Sequence, residues 1–115
     1  MTLPDIQIAP RHWEIVAALL ERHVPRCQVW VFGSRASGKA KQYSDLDLAI
    51  AGDGPLPLST LAALASDLEE SALPFKVDVL DWAMLTDAFR EVIATGKVRV
   101  QPAPAIESIR TPRLP

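Results

Sequence analysis

Three short runs rich in branched and aromatic side chains constrain this chain most: residues 28–32 (QVWVF), 45–51 (DLDLAIA) and 76–81 (KVDVLD). Each has the length and composition of a strand, and turn residues bound each one. The second and third are separated by Gly52-Asp53-Gly54-Pro55 and then by Leu61, Leu64, Ala65 and Leu68, which mark a helix over 58–71. A helical crossover makes those two strands parallel, with a right-handed connection. Residues 33–44, between the first and second strands, carry no comparable apolar helix, so that pair is expected to be antiparallel.

Helices complete the pattern. Trp13, Val16, Ala17, Leu20 and Val24 form one stripe after Pro10, and Pro25 ends it. Phe89, Val92 and Ile93 mark a last helix over 87–95, with Thr86 as its N-cap and Gly96 expected in the left-handed region just beyond. Residues 97–101 (KVRVQ) alternate like an edge strand. The predicted fold class is α/β, a small mixed β-sheet with helices packed against it. Residues 1–9 are expected to be a loosely tied arm, 10–101 the folded domain, and 102–115 a Pro-rich tail that is extended or disordered.

Composition narrows the function. With 115 residues the chain buries roughly two-thirds of its unfolded surface, enough for one core. It is 49% hydrophobic with a net charge of −2, which excludes intrinsic disorder and argues against a broad basic face for nucleic acid. Cys27 is the single cysteine, so neither a disulfide framework nor a cysteine-based zinc site can form. No apolar run reaches ~18 residues and no leader pattern opens the chain, so a cytoplasmic location without membrane contact is expected.

Three features carry chemistry. Gly33-Ser34 follows the first strand directly, and backbone N–H groups at such a turn form an anion site that glycine lets a phosphate approach. Asp45 and Asp47 are two apart on a strand, so both carboxylates leave the same face. Carboxylates that close repel unless a cation lies between them, and Mg²⁺ takes such oxygen ligands while keeping positions open for substrate phosphates. Asp78 stands between the core-facing Val77 and Val79, so it faces the opposite side. Parallel pairing of the second and third strands brings Asp45, Asp47 and Asp78 level, and antiparallel pairing of the first two brings Gly33-Ser34 beside them. Three carboxylates beside an anion turn suit a two-metal phosphoryl-transfer site. Asp81 is three residues from Asp78, faces away, and reads as a cap.

The run GSRASGKAKQYSDLDLAI (33–50) resembles the signature of the polymerase-β-like nucleotidyltransferase superfamily: Gly-Ser, ten residues, then Asp-x-Asp. KVDVLDW (76–82) is similar to its segment carrying a third carboxylate. Over about 10–101 the chain resembles the minimal nucleotidyltransferases, antitoxins paired with helical HEPN-domain toxins. That resemblance implies ATP as donor, Mg²⁺ as metal, and transfer of AMP to a tyrosine of a HEPN ribonuclease toxin held in a hetero-oligomer. It implies Asp45, Asp47 and Asp78 as catalytic metal ligands and Gly33 and Ser34 as the phosphate-binding pair. Arg35, beside that turn, is expected to help bind the nucleotide, with Lys39 and Lys41 able to assist. Two alternatives stay open: an antitoxin that acts by occlusion alone, and a transferase acting on a small molecule. The small size disfavours the second, because no further domain shapes an acceptor pocket.

Other residues read as structural. His12 and His23 lie eleven apart on one helix, roughly 16 Å, and cannot share a metal. Trp30 and Trp82 are expected to pack in the fold rather than contact a base, and Cys27 to be a small buried hydrophobe.

Overall fold

The computed structural model describes residues 4–101. Four helical segments and four strands alternate: α1 (Pro10–His23), β1 (Gln28–Phe32), α2 (Ser34–Ser37), β2 (Leu46–Ala51), α3 (Leu58–Glu69), β3 (Val77–Asp81), α4 (Asp87–Ala94) and β4 (Val98–Gln101), with a 3₁₀ turn at Trp82–Met84. The strands form one sheet in the order β3-β2-β1-β4. β1 pairs antiparallel with β2 and with β4, and β2 pairs parallel with β3, as the connections require.

Alternation along the strands gives the sheet two different faces. Val29, Val31, Leu46, Leu48, Ile50 and Val100 point to one side and are buried against Trp13, Val16 and Leu20 of α1 and Leu64 and Leu68 of α3. Fully burying each such side chain is worth about 1.5–3 kcal/mol, so this face supplies most of the hydrophobic stabilisation. The two helices are also tied by polar contact: His23 Nε2 donates to Asp67 Oδ2 at 2.6 Å. His12 meets the edge of the Phe75 ring, with centroids 5.6 Å apart. The two histidines therefore sit in separate packing contacts, as expected of structural residues.

The second face carries Trp30, Phe32, Asp47, Ala49, Asp78 and Leu80. One end of it is closed by side chains. Trp30 and Trp82 pack at 5.6 Å between ring centroids, with Lys97 over the first and Arg90 over the second. Phe89 of α4 meets Phe32 edge-on, with ring centroids 6.4 Å apart, and Ile93 of the same helix is buried. Phe32 stands opposite Asp47, so the Phe32–Phe89 pair borders the end that holds Asp47 and Asp78.

Three local expectations change. The segment before α1 is tied down: Ile6 and Ile8 pack on the core, and Gln7 donates its N–H to Arg35 O at 2.8 Å while its Oε1 accepts from Ala40 N–H at 2.7 Å. Gly96 is not left-handed; among the described residues only Gly33 and Gly38 have positive φ. α4 ends instead with Thr95 in a right-handed conformation, its hydroxyl donating to Val92 O at 2.8 Å and so satisfying a terminal carbonyl without a glycine cap. The third change is α2, a single turn that the polar run 34–37 did not announce. Thr86 caps α4 as expected, accepting from Phe89 N–H. The tail expected over 102–115 lies outside the described residues. Among those residues, no helix is long and apolar enough to cross a membrane.

Candidate active site

The site is assembled by register. In the parallel pair, Asp47 stands opposite Asp78; in the antiparallel pair, Asp47 stands opposite Phe32, the residue before Gly33. One carboxylate therefore sits at the junction of two ladders, with a second carboxylate on one side and the Gly-Ser turn on the other. Leu46 and Leu48 are fully buried on the opposite face and fix which way Asp47 points, because a one-residue slip would expose both leucines.

Gly33 is required at the turn. Its φ is 78° and its ψ −155°, a region that residues with a Cβ rarely adopt. A Cβ there would also collide with Asp47 Oδ2 and lie 3.4 Å from Asp47 Cγ. The glycine thus leaves room for the Asp47 carboxylate. Downstream, Ala36 and Ser37 N–H both reach Gly33 O at 3.1 Å, winding α2 tightly after the turn, and Gly38 closes it in the left-handed conformation.

The electrostatics of the acidic group are those of an unshielded cluster. Burial pushes the Asp47 carboxyl above the ordinary carboxylate range, and the charges of Asp78 and Asp45 and a side-chain hydrogen bond with Asp78 push it the same way. Lys76 Nζ lies 3.5 Å from Asp78 Oδ1, but that lysine side chain is 73% exposed and shields little. Asp45 is exposed at the rim. Among the described residues no three His, Cys, Asp or Glu side chains already converge as a metal cage. Asp47 and Asp78 meet directly, whereas Asp45 acts at longer range through its charge. A hard divalent ion fits this donor set: it takes carboxylate oxygens and offsets the burial and like-charge repulsion that raise Asp47.

Arg35 takes a different place from the nucleotide-binding one expected for it. It is 5% exposed, and its guanidinium donates to Ser44 O (3.0 Å), Gln7 O (2.7 Å) and Gln42 O (3.2 Å) while lying 4.1 Å above the Phe75 ring. A buried guanidinium must be hydrogen-bonded, and these three carbonyls do that. Burial also lowers its pKa, against the opposing pull of Asp45. Arg35 is thus the clamp that fixes the loop leading into Asp45. Its partners are backbone atoms distant in sequence, so nothing in the residue pattern pointed to them.

Asp81 behaves as the cap expected of it. It is buried, and its carboxylate accepts from Ala83 N–H (3.1 Å) and Leu56 N–H (2.9 Å), which anchors the start of the 3₁₀ turn and the loop before α3. Cys27 is half-buried, and burial with the charges of Asp53 and Asp81 pushes its thiol up, which suits an inert side chain. Trp30 and Trp82 pack on each other, as described above.

Residues 14–101 match the family model described as polymerase beta, nucleotidyltransferase. The chain is 45% identical over 97 residues to the Haemophilus influenzae chain named probable protein adenylyltransferase MntA, covering 84% of this chain and 85% of that one. A solved toxin–antitoxin with AMP-PNP superposes with a TM-score of 0.67 at 23% identity, over 84% of this chain and 77% of its own. A tri-AMPylated Shewanella oneidensis HEPN toxin in complex with MNT antitoxin gives 0.62 at 21% identity, over 86% and 76%. At such identities these two likenesses are of fold. The family match spans the whole described sheet and all three aspartates, and this chain belongs to the polymerase beta nucleotidyltransferase family.

Proposed function

We propose that the chain is an antitoxin that transfers AMP from ATP to a tyrosine of a HEPN-domain ribonuclease toxin, and so inactivates it. The observation that carries this reading is the register pairing of Asp47 with Asp78 on one side and with the Gly33 turn on the other. The 45% identical relative named as a protein adenylyltransferase supports the reaction class, and complexes of similar fold with HEPN toxins support the partner.

Asp45, Asp47 and Asp78 would hold Mg²⁺, which when bound neutralises charge on the triphosphate and on the departing pyrophosphate. The Gly33-Ser34 turn offers the phosphates its amides and the Ser34 hydroxyl. The acceptor phenol attacks the α-phosphorus from the β3 side, where Asp78 accepts its proton. The oxygen–phosphorus bond forms, the bond to the β-phosphate oxygen breaks, and pyrophosphate leaves. Asp47, held by two ladders, keeps the reacting groups in register; positioning of this kind supplies much of the barrier lowering. Arg35 acts through the loop it clamps.

ATP labelled on the α-phosphate, supplied with Mg²⁺ and a purified HEPN partner, tests the proposal. Label is expected on a partner tyrosine with the wild-type chain and not with Asp47→Ala. An unlabelled partner, or equal labelling by the variant, would overturn it. Neutralisation by occlusion alone predicts full protection by an Asp45→Ala/Asp47→Ala chain without ATP. The juxtaposed carboxylates, which a pure binder does not need, favour transfer.

A further inference from the structure

β3 is an edge of the sheet, and among the described residues no strand pairs with its outer side. Leu46 N–H donates to Lys76 O at 2.9 Å, and Leu46 stands opposite Val77 in the parallel ladder. Backbone groups alternate in direction along a strand. Asp78 therefore turns its N–H and C=O to β2, while Val77 and Val79 turn theirs outward. An open row of donors and acceptors of this kind is a template for one more strand.

The same edge borders a groove of about 660 Å³ between α3 and β3. Leu58, Leu61 and Ala65 of α3 line it with Val77 and Val79 of β3, and Asp78 lines it too. The groove is thus continuous with the acidic site. Leu58 is 82% exposed at the first position of α3, an apolar side chain with little cover. Ala65 is exposed and small, which leaves room for a backbone beside the edge.

We infer that this edge and groove receive the acceptor-bearing segment of the HEPN partner, extended and paired on β3. The inference rests on the adenylyl-transfer reading above and gives the route by which the acceptor tyrosine reaches Asp78. Residues opposite each other in a ladder share a face, and successive residues take opposite faces. A segment whose tyrosine stands level with Asp78 places the phenol on the acidic face, with its backbone about 4.8 Å from β3. The residues just before and after the tyrosine then fall on the other face, in the apolar groove with Val77 and Val79. Small or apolar side chains at those two partner positions are what the groove selects, while main-chain pairing supplies affinity. A second copy of this chain on the same edge would cover Asp78 and shut out any acceptor, so the partner is the occupant.

The test is steady-state labelling of a purified HEPN partner by the full chain with α-labelled ATP and Mg²⁺. Wild type is compared with Leu58→Asp and Ala65→Glu, which put a charge into the groove from exposed helix positions. Each variant should raise the KM for the partner about tenfold or more, with the KM for ATP within about twofold of wild type. Melting temperatures should match, which separates lost docking from damaged folding. A partner KM within about twofold of wild type in either variant overturns this inference and leaves the transfer reading intact. So does a wild-type chain that sediments as a dimer when Leu58→Asp sediments as a monomer, because the groove then joins copies. No label on the partner from the wild-type chain overturns the transfer reading, and this inference with it.

Discussion

Asp47 faces Asp78 across a parallel strand pair while its own carboxylate fills the space that Gly33 leaves by having no side chain. A charged group is therefore held between a like charge and the backbone of the Gly33 turn. The strain of that arrangement falls on Asp47, whose carboxyl is pushed up by burial and by its two acidic neighbours. A cation held by these carboxylates would offset that repulsion.

Removing that repulsion without adding a metal should stabilise the chain. Asp47→Asn keeps the shape and deletes the charge, so the melting temperature in chelator is expected to rise above that of wild type. The same variant loses a metal ligand, worth several kcal/mol of transition-state stabilisation, so transfer should fall about 100-fold or more. Melting curves and a labelling assay on one preparation check both halves; a variant that melts lower in chelator contradicts the account.

The pH dependence follows with a definite sign. Asp47 has its pKa raised in the fold, so the folded chain binds more protons than the unfolded chain in the window above the ordinary carboxylate value. The Asp47 contribution to stability therefore falls as pH rises through that window, from the usual range near 3.9 up to the raised value. In chelator, the difference in unfolding free energy between Asp47→Asn and wild type should widen across the window and then level. Saturating Mg²⁺ with a non-hydrolysable ATP analogue should narrow it. Denaturant titrations at several pH values measure it.

Gly33→Ala tests the opening itself. The new Cβ must be accommodated at φ 78° and against Asp47, at a cost of about 1–3 kcal/mol in backbone strain alone. Stability should drop by that order, and transfer should drop further than stability explains, because Asp47 is displaced. Gly38→Ala provides the control: it has a positive φ of 83° but nothing within 4 Å of the added Cβ, so it should lose stability with little loss of activity per folded molecule.

Arg35→Met asks whether the arginine clamps a loop or binds the nucleotide. The buried guanidinium donates to three backbone carbonyls, and a charge-assisted bond is worth about 1.5–3 kcal/mol, so a loss of about 3 kcal/mol or more is expected. A direct nucleotide role would instead raise the KM for ATP with little change in melting temperature. Thermal melting paired with KM measurement separates the two.

Much of this was legible in the residues, for a physical reason. Strand alternation fixes which side each residue takes, so Val77 and Val79 seeking the core forced Asp78 to the other face, and Leu46 and Leu48 did the same for Asp47. The connections then fixed the pairing, since a helix between strands allows parallel neighbours and a short polar link favours antiparallel ones. Arg35 and Gln7 were not legible. Both act on backbone atoms brought near by the fold, and a hydrogen bond to a carbonyl 28 residues away leaves no periodic trace. Gly96 misled because a threonine hydroxyl can close a helix as a glycine does. Ile6 and Ile8 gave too short a pattern to show that their segment packs on the core.

Covalent transfer and occlusion differ most plainly in what persists. A HEPN ribonuclease partner treated with this chain, ATP and Mg²⁺, then separated from the chain under denaturing conditions and refolded, should stay inactive and carry AMP. The same partner treated with the Asp45→Ala/Asp47→Ala chain should recover its ribonuclease activity. Recovery of full activity after treatment with the wild-type chain would contradict the account.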